Sequence, residues 1–471
     1  MSRINTNIQS LIAQRVLTAQ NRGLDTSLNR LSTGLRINVG KDDPAGLIAS
    51  ETLRAEKTAI NAALTNISRA NNVIATAEGG LIEVNSLLVE LEELVDHSAN
   101  EAGISDDERR ANQLQIDAIL SSINRIANST EFQGKKLLSG ELDYTTSGVA
   151  AADFTNVDIL GARLANNATR AVVVEVTTGA SAARLVYSGS ATGTGTTTIE
   201  VSGNQGTEVF SFASGTAIAT VATAVNEATE LTGVSATISG TSLVLSSTEF
   251  GSSQFVSVNA LTGTFATTSD DPGTDDHGVD AVVFVNGVQA DVRGLNARLQ
   301  SSTLNLELDL SATFGGAPGT RTFHVTGGGA DFAIAPTVNL NGVASFGVSN
   351  VATSSLGKGN VGFLSSLGSG QANSLDTGNY LTAQRIVRLA QTQVSELRGR
   401  IGAFQKNTLE TTANSLLVSY ENTTAAESSI RDTDFAFETS QLTRAQILAQ
   451  SATNTLRLAN QQPQQALALL G

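Results

Sequence analysis

Apolar residues recur with heptad spacing near both ends of this 471-residue chain, and this pattern restricts the fold more than any other feature. Steps of three and four alternate without a break, as in helices that bury a narrow apolar seam against one another. Long stripes from opposite ends of the sequence need partners, so the sequence predicts a helical rod built from both ends. The intervening positions of these stripes are Ala63, Ala70, Ala77, Val84, Ala383, Ala390 and Phe404. The predicted rod seam positions are Ile60, Ile67, Ile74, Leu81, Leu88, Leu91, Val95, Val387, Val394, Leu397 and Ile401.

The middle of the chain has a different composition. Residues 141–370 hold 30 of the 43 glycines, 12 of the 16 phenylalanines and 19 acidic against 7 basic residues. The region is also rich in Ser, Thr and Val, which favours strands and turns over long helices. The predicted fold class is therefore α+β, a discontinuous α-helical coiled-coil rod built from both chain termini with a β-rich inserted outer domain.

Several short patterns in the middle predict particular elements. Leu304, Leu306, Leu308 and Leu310 alternate with polar residues, as in a half-buried strand. Asn286-Gly287 and Asn341-Gly342 each lie between apolar runs and predict tight hairpins. The order over 197–247 is predicted as strand, strand, helix, strand, strand, with Ile218, Val221, Ala222 and Val225 on the buried face of the helix.

The two ends of the chain carry further apolar stripes with little bulk. We expect these marginal helices to become ordered only when another surface covers them, which indicates subunit assembly. Pro463 is predicted to end or kink the last helix, because proline lacks the N–H and clashes with the preceding turn. The predicted subunit-assembly positions are Leu24, Leu28, Leu31, Leu35, Leu442, Ala445, Ala449, Ala452, Leu456 and Ala459.

Composition argues against several classes of function. The chain has no cysteine, only three histidines and a formal net charge of −15, which disfavours thiol and imidazole chemistry and an anionic partner such as nucleic acid or membrane. The acidic run 270–280 is interpreted as a solvated loop rather than a cation site. No signal sequence or membrane span is expected. We therefore predict a protein that is not an enzyme and has no cofactor or metal.

Several longer motifs at the two ends resemble bacterial flagellin, the subunit of the flagellar filament, and together they cover roughly 1–140 and 375–471. The motifs are Asn5-Thr-Asn-Ile-Gln-Ser-Leu11, Leu28-Asn-Arg-Leu-Ser-Thr-Gly-Leu-Arg-Ile-Asn38, Asp42-Asp-Pro-Ala-Gly-Leu47, Thr130-Glu-Phe-Gln-Gly-Lys-Lys-Leu-Leu138, Ile430-Arg-Asp-Thr-Asp-Phe435, Ser440-Gln-Leu-Thr-Arg-Ala-Gln-Ile-Leu448 and Ala459-Asn-Gln-Gln-Pro-Gln464.

The resemblance implies a domain layout. Residues 1–40 with 432–471 would line the inner core of a filament. Residues 41–140 with 371–431 would form its outer core, with a small hairpin near Phe132–Ser139. Residues 141–370 would project outward, and 196–258 is similar to the β-rich insertion motif of flagellins and hook-associated proteins.

The resemblance also implies a function. A family member would be a structural subunit that self-assembles into the extracellular filament used for swimming. It would be secreted unfolded through the flagellar type III pathway without signal cleavage. Expected partners are other copies of the chain, an export chaperone, the filament cap and the hook-junction proteins. The alternatives are a hook–filament junction protein of the same family and an adhesin or enzyme within 141–370.

One segment departs from the family pattern. Many enteric flagellins carry Q-R-V-R-E-L-A-V-Q, which is recognised by the animal innate receptor for flagellin. Here Glu90 and Glu92 replace the two arginines, whereas Glu93 and Leu94 match. The resemblance therefore implies weak receptor activation. The alternative is a solvated helix face with Arg109 and Arg110 nearby.

Overall fold

The computed structural model describes residues 6–164, 168–269, 275–301 and 303–468. The chain divides into two compact units, one formed by 1–67, 334–337 and 410–471 and the other by 68–333 and 338–409. The helices are α1 (Ile8–Thr33), α2 (Pro44–Ser98), α3 (Asp106–Ser129), α4 (Ile218–Glu227), α5 (Thr229–Thr232), α6 (Ala312–Gly315), α7 (Tyr380–Phe404), α8 (Thr411–Arg431) and α9 (Phe435–Ala468). A π-helical turn, Gln405–Glu410, joins α7 to α8.

The strands lie almost entirely in the middle of the chain. They are β1 (Glu131–Phe132), β2 (Lys135–Lys136), β3 (Tyr144–Ser147), β4 (Phe154–Ala162), β5 (Arg170–Thr178), β6 (Arg184–Ser188), β7 (Thr197–Gly203), β8 (Thr207–Phe212), β9 (Val234–Ser239), β10 (Ser242–Ser247), β11 (Phe255–Thr262), β12 (Thr267–Thr268), β13 (Asp275–His277), β14 (Val282–Val285), β15 (Val288–Gln289), β16 (Asp291–Arg293), β17 (Asn296–Gln300), β18 (Leu304–Leu310), β19 (Gly319–Gly328), β20 (Ala330–Ala333), β21 (Val343–Phe346), β22 (Gly357–Lys358) and β23 (Gly362–Phe363). The predicted α+β class, with terminal helical regions and a central β-rich insert, is confirmed.

In the first unit, the N-terminal part of α2 packs beside α8. Lys57 Nζ lies 2.5 Å from Glu427 Oε2, and Arg431 Nη1 lies 2.6 Å from Glu51 Oε1. Ile60 and Ile67 of the rod seam are buried. The apolar seam therefore supplies the packing in this unit, and the ion pairs lie beside it on α2 and α8.

In the second unit, α2 packs beside α7. Gln391 Nε2 donates to Leu88 O, and Gln384 Nε2 donates to Asp96 Oδ1 at 2.6 Å. The rod seam positions on both helices are less than 5% exposed. Buried Gln113 of α3 donates to Leu367 O and accepts from the Leu375 N–H, which fixes the loop that leads back to α7. A buried side chain satisfied on both sides specifies this path for the loop.

A small hairpin follows α3 and lies against α2. Its turn places Gln133 at φ 51° and Gly134 at φ 79°, the paired positive values of a tight hairpin. Leu138, just after β2, is fully buried. A Cβ added to Gly80 of α2 would lie 2.7 Å from the Leu138 Cδ1 atom, so this glycine allows the close approach.

The first β core is formed by two sheets with strand orders β15-β14-β5-β19-β3 and β16-β17-β18-β4. Leu304, Leu306, Leu308 and Leu310 of β18 all point into this core, as predicted. Phe154 also packs there, with its ring centroid 5.5 Å from Phe314 and 5.6 Å from Phe323 in edge-to-face contacts.

The second β core is formed by sheets with orders β12-β6-β10-β9 and β13-β11-β7-β8. The predicted order over 197–247 is observed as β7, β8, α4, β9 and β10, with the short α5 after α4. Ile218, Val221, Ala222 and Val225 of α4 are buried in this core, as predicted. The spacing of apolar residues predicted both the helix and the strands in this segment, because each element buries one face.

One of the two predicted Asn-Gly hairpins is present. Asn286 and Gly287 have φ values of 50° and 79° and join β14 to β15. The hairpin predicted at Asn341-Gly342 is wrong, because Leu340–Gly342 forms a 3₁₀ turn and β21 pairs with β20. The Asn339 side chain accepts the Gly342 N–H at 2.7 Å and caps this turn, which competes with a hairpin.

Two other expectations need correction. Helix α9 continues through Pro463 to Ala468, so this proline does not end the helix, and the predicted alternative, a kink, stays a prediction. A proline removes one backbone hydrogen bond, and the turns on both sides can remain helical. The solvated-loop interpretation also fails in part, because Asp276 is buried in β13 and accepts the Arg184 N–H at 2.5 Å. Asp270 and Asp271 lie outside the described residues.

Gly79 and Gly80 provide a matched pair for testing the packing of α2. Gly80→Ala should lower the free energy of unfolding by about 1–2 kcal/mol, because overpacking against Leu138 outweighs the gain in helix propensity. Gly79→Ala should raise it by up to about 1 kcal/mol, because nothing lies within 4 Å of the added Cβ. Chemical denaturation followed by circular dichroism measures both. Equal effects of the two substitutions would contradict the close contact.

Candidate assembly surface

Helices α1 and α9 pack against each other in opposite directions. Near the start of α1, Asn7 Nδ2 donates to Ala459 O at 2.9 Å, and its Oδ1 accepts the Ser10 N–H as an N-cap. Near the other end, Arg30 Nη1 lies 3.5 Å from Glu438 Oε2. These two links set the register of the pair.

The contact between the two helices uses small side chains. Ala13 and Ser27 of α1 and Ala452 and Ala459 of α9 are buried. Small residues let the backbones approach, but each removes little apolar area from water. The pair therefore gains little stability from its own seam. A groove of about 230 Å³ lies between the helices, beside Ile12, Val16 and Leu448.

Most predicted assembly positions lie within this seam or at its margin. Ala452 and Ala459 are buried, and the others in α9, Leu442, Ala445, Ala449 and Leu456, are half-buried. In α1, Leu24 and Leu31 are half-buried, whereas Leu28 is 47% exposed. Leu35 lies beyond the end of α1, where it forms a backbone bridge to Asp432, because Gly34 adopts φ 73° and ends the helix.

A second set of apolar side chains on these helices faces solvent and is not among the predicted assembly positions. Its members are large, and each is between 40% and 63% exposed. The sequence signal was available, because apolar residues also occur off the stripes, as in adjacent pairs such as Ile447 and Leu448. We call this set the exposed apolar surface: Ile8, Leu11, Ile12, Val16, Phe435, Phe437, Ile447, Leu448 and Leu458.

The segment aligned with the innate-receptor motif lies on α2. Arg388 Nε donates to Glu92 Oε1 at 2.8 Å, and Gln391 Nε2 donates to Glu92 Oε2 at 2.8 Å. The hydrogen bond from Arg388, followed by that from Gln391, lowers the pKa of the Glu92 carboxyl below its usual value. Glu90 and Glu93 are exposed and Leu94 is half-buried.

Glu92 pairs with a different arginine from the two that were expected nearby, Arg109 and Arg110. Arg109 pairs with Asp106 and Arg110 pairs with Asp107, each within α3. The cation beside Glu92 comes from α7, on the opposite side of the β-rich insert in sequence. Glu92 is therefore part of the packing between α2 and α7 rather than a fully solvated residue.

Metal-binding and membrane-spanning arrangements were sought among the described residues. In the ranges that the structure describes, no group of three or more His, Asp or Glu residues is placed to hold a metal ion. Over the same ranges, no helix is both long and apolar enough to cross a membrane. The exposed apolar surface on α1 and α9 is therefore the feature with the clearest functional meaning.

Comparison with known families matches three parts of the chain. The bacterial flagellin N-terminal helical region matches residues 4–143, and the bacterial flagellin C-terminal helical region matches residues 365–470. Together these two matches cover more than half of the chain. The flagellin hook IN motif matches residues 198–249.

Similar full-length proteins are also flagellins. The chain is 29% identical to the B-type flagellin of Pseudomonas aeruginosa and 29% identical to flagellin B of Vibrio cholerae, with 99% of each chain covered in both cases. Flagellin B of Helicobacter pylori is 27% identical over the same shares of both chains. The chain therefore belongs to the bacterial flagellin family, the structural subunits of the flagellar filament.

Proposed function

We propose that this flagellin is a non-catalytic subunit that polymerises through the exposed apolar surface of α1 and α9 into a helical homopolymer. The exposure of nine large apolar side chains on two helices with a weak seam carries the proposal. Such area costs roughly 25 cal/mol per Å² while it faces water, and contact with identical neighbours removes that cost. A head-to-tail contact that does not close extends into a helical filament.

The proposed surface fits the properties of the two helices. Their seam fixes which faces point outward, because Ala452 and Ala459 occupy the inner side and Ile447 and Leu458 lie on the outer side. The groove beside Ile12 and Leu448 gives a neighbouring subunit a recess for an apolar side chain. Burial of that side chain would add packing that the isolated pair lacks.

The domain roles follow from this proposal. Residues 1–40 with 432–471 form the filament inner core, and 41–140 with 371–431 form the outer core. Residues 141–370 project from the filament surface, and their excess of acidic residues keeps neighbouring filaments apart by repulsion. The extracellular flagellar filament is thus the site of action of the chain.

Other proteins would handle the same surface before and during assembly. An export chaperone would cover the exposed apolar residues of α9 and prevent early polymerisation, and a filament cap and hook-junction proteins would contact subunits at the ends of the filament. The names of the similar proteins favour a filament subunit over a hook–filament junction protein. Abundance in a sheared surface fraction separates the two roles.

Removal of the terminal segments tests the assembly role. The full chain should form long uniform tubes after addition of a kosmotropic salt, because such salts strengthen apolar burial. A variant without 1–40 and 432–471 should form none. Negative-stain electron microscopy shows the tubes, and circular dichroism checks that the shortened chain is folded. Tubes from the folded, shortened chain would refute the proposal, and rings from the full chain would favour the junction protein.

A point substitution tests the exposed apolar surface more sharply. Ile447→Ser should leave the monomer's unfolding temperature nearly unchanged, because Ile447 is 63% exposed. It should raise the critical concentration for polymerisation at least about tenfold, because burying an isoleucine contributes roughly 1.5–3 kcal/mol. The control is Gln446→Ser at the adjacent exposed position. Sedimentation assays measure both, and normal assembly of the Ile447→Ser variant would rule out this side chain as a contact.

We further propose that the chain activates the innate flagellin receptor weakly. Glu90 presents a negative charge where the recognised motif has a positive one, and Glu92 is held by Arg388. A reversed charge in an interface creates repulsion or leaves a partner unpaired. The observation that carries this proposal is the exposure of Glu90 on α2.

A reporter-cell assay with purified monomer tests the receptor proposal. Activation should be at least about tenfold weaker than with an enteric flagellin, since about 1.4 kcal/mol corresponds to a tenfold loss of affinity. Glu90→Arg should recover part of the signal without disturbing the contact between Glu92 and Arg388. A matched control is Glu83→Arg, at another exposed position of α2. Wild-type activation equal to that of the enteric protein would disprove the proposal.

A further inference from the structure

Two short segments of chain join the first β core to the second, and both cores lie within the second unit. One segment runs from the end of β5 to β6, and the other returns from β13 to β14. The segments pair with each other where Ser181 and Val279 each donate an N–H to the other's carbonyl oxygen at 3.0 Å. Bodies linked in this way move relative to each other unless a further contact fixes them.

A loop of the second β core supplies a further contact. Residues 248–254 connect β10 to β11 of that core, but Phe250 in this loop packs against the first core. The Gly251 N–H of the same loop donates to Ser181 O at 3.2 Å. The two cores are thus linked by this loop as well as by the two covalent segments.

Two glycines bring the loop against a turn of the first core. Gly294 lies in the turn between β16 and β17, and a Cβ added there would lie 2.4 Å from Phe250 O. A Cβ added to Gly251 would lie 2.6 Å from the Gly294 Cα atom. Both residues are buried and have positive φ values, 116° for Gly251 and 61° for Gly294. The two backbones therefore touch directly, which a side chain at either position would prevent.

The carboxylate of Asp280 bonds to both sides of this contact. Its Oδ1 atom accepts the Ser252 N–H of the loop at 3.0 Å and the Gly294 N–H of the turn at 2.6 Å. Its Oδ2 atom accepts a hydrogen bond from Ser252 Oγ. The next residue, Ala281, donates its N–H to Gly294 O at 3.2 Å. Hydrogen bonds to an ionised acceptor are stronger than neutral ones, so this carboxylate is well suited to join the loop to the turn.

We propose that Asp280 is a latch that holds the second β core in one orientation to the first, so that the two cores move as one rigid body. Three hydrogen bonds cross the contact through this single side chain, and the two glycines permit the approach that the bonds require. Without the carboxylate, water competes for the freed donors, and the contact opens more often. The latch is a property of the monomer and does not depend on the proposed polymerisation.

Distance measurements between two spin labels on the full-length monomer test the latch. The chain has no cysteine, so labels can be attached at introduced cysteines alone. Thr223→Cys on α4 labels the second core and Gln289→Cys on β15 labels the first, both at exposed positions. Pulsed electron paramagnetic resonance should give one narrow distance distribution. Adding Asp280→Ala should make that distribution at least about twofold broader, because released bodies sample a range of hinge angles.

Two further variants make the result specific. Asp291→Ala removes an exposed carboxyl group on β16 and should leave the distribution narrow. Ser252→Ala removes one of the three hydrogen bonds and should broaden the distribution in part, so it reports on the latch if Asp280→Ala does not fold. Circular dichroism checks folding. A folded Asp280→Ala variant as narrow as its parent would overturn the proposal. An equally narrow Ser252→Ala variant would do so if Asp280→Ala does not fold, and so would equal broadening by Asp291→Ala.

Hydrogen exchange separates opening of the latch from general destabilisation. The amides of Ser252 and Gly294 donate directly to Asp280, so each reports on the contact itself. Both should exchange at least about tenfold faster in Asp280→Ala than in Asp291→Ala. The amides of Val201 in β7 and Leu306 in β18, inside the two cores, should exchange at the same rate in both variants. An equal increase at the core amides would show a loss of overall stability and would count against a latch.

Discussion

Burial of the apolar seam along α2 is the interaction on which the rest of the structure depends. The helix has 55 residues, or about 80 Å at 1.5 Å per residue, and in proteins most of the stability of a helix comes from packing of its apolar face. Its seam residues are buried in both compact units, where α8 and α7 supply packing beside it. Because those partners come from the far end of the chain, the whole β-rich region must be an insertion between two halves of one helical framework.

The terminal helices follow a different rule from the rod. In α2 and α7 the bulky apolar residues lie inside and the solvent-facing positions are mainly polar. These helices therefore bury their apolar faces within one chain. In α1 and α9 small residues lie inside and several large ones lie outside. This inversion leaves a folded monomer with an incomplete core, which a neighbouring subunit can complete. Stability and assembly thus use different faces of the same helices.

The sequence predicted elements that bury one face along a short stretch. The β18 leucines, the apolar face of α4 and the Asn286-Gly287 turn were all predictable, because spacing or turn chemistry decides them locally. The Asn341-Gly342 turn was not, since the Asn339 cap competes with the hairpin. The spacing of residues could not predict the partner of Glu92 either, because Arg388 lies 296 residues away in the sequence.

The two polar links between α1 and α9 have a consequence for how this pair can vary in evolution. Asn7 pairs with Ala459 at one end and Arg30 with Glu438 at the other, so nearly equal lengths of helix separate them. One inserted residue in α1 would rotate everything beyond it by about 100° and move one link out of reach. An insertion or deletion in one helix must therefore be matched by one in the other. The two ends of the gene, which encode α1 and α9, are thus constrained to change length together.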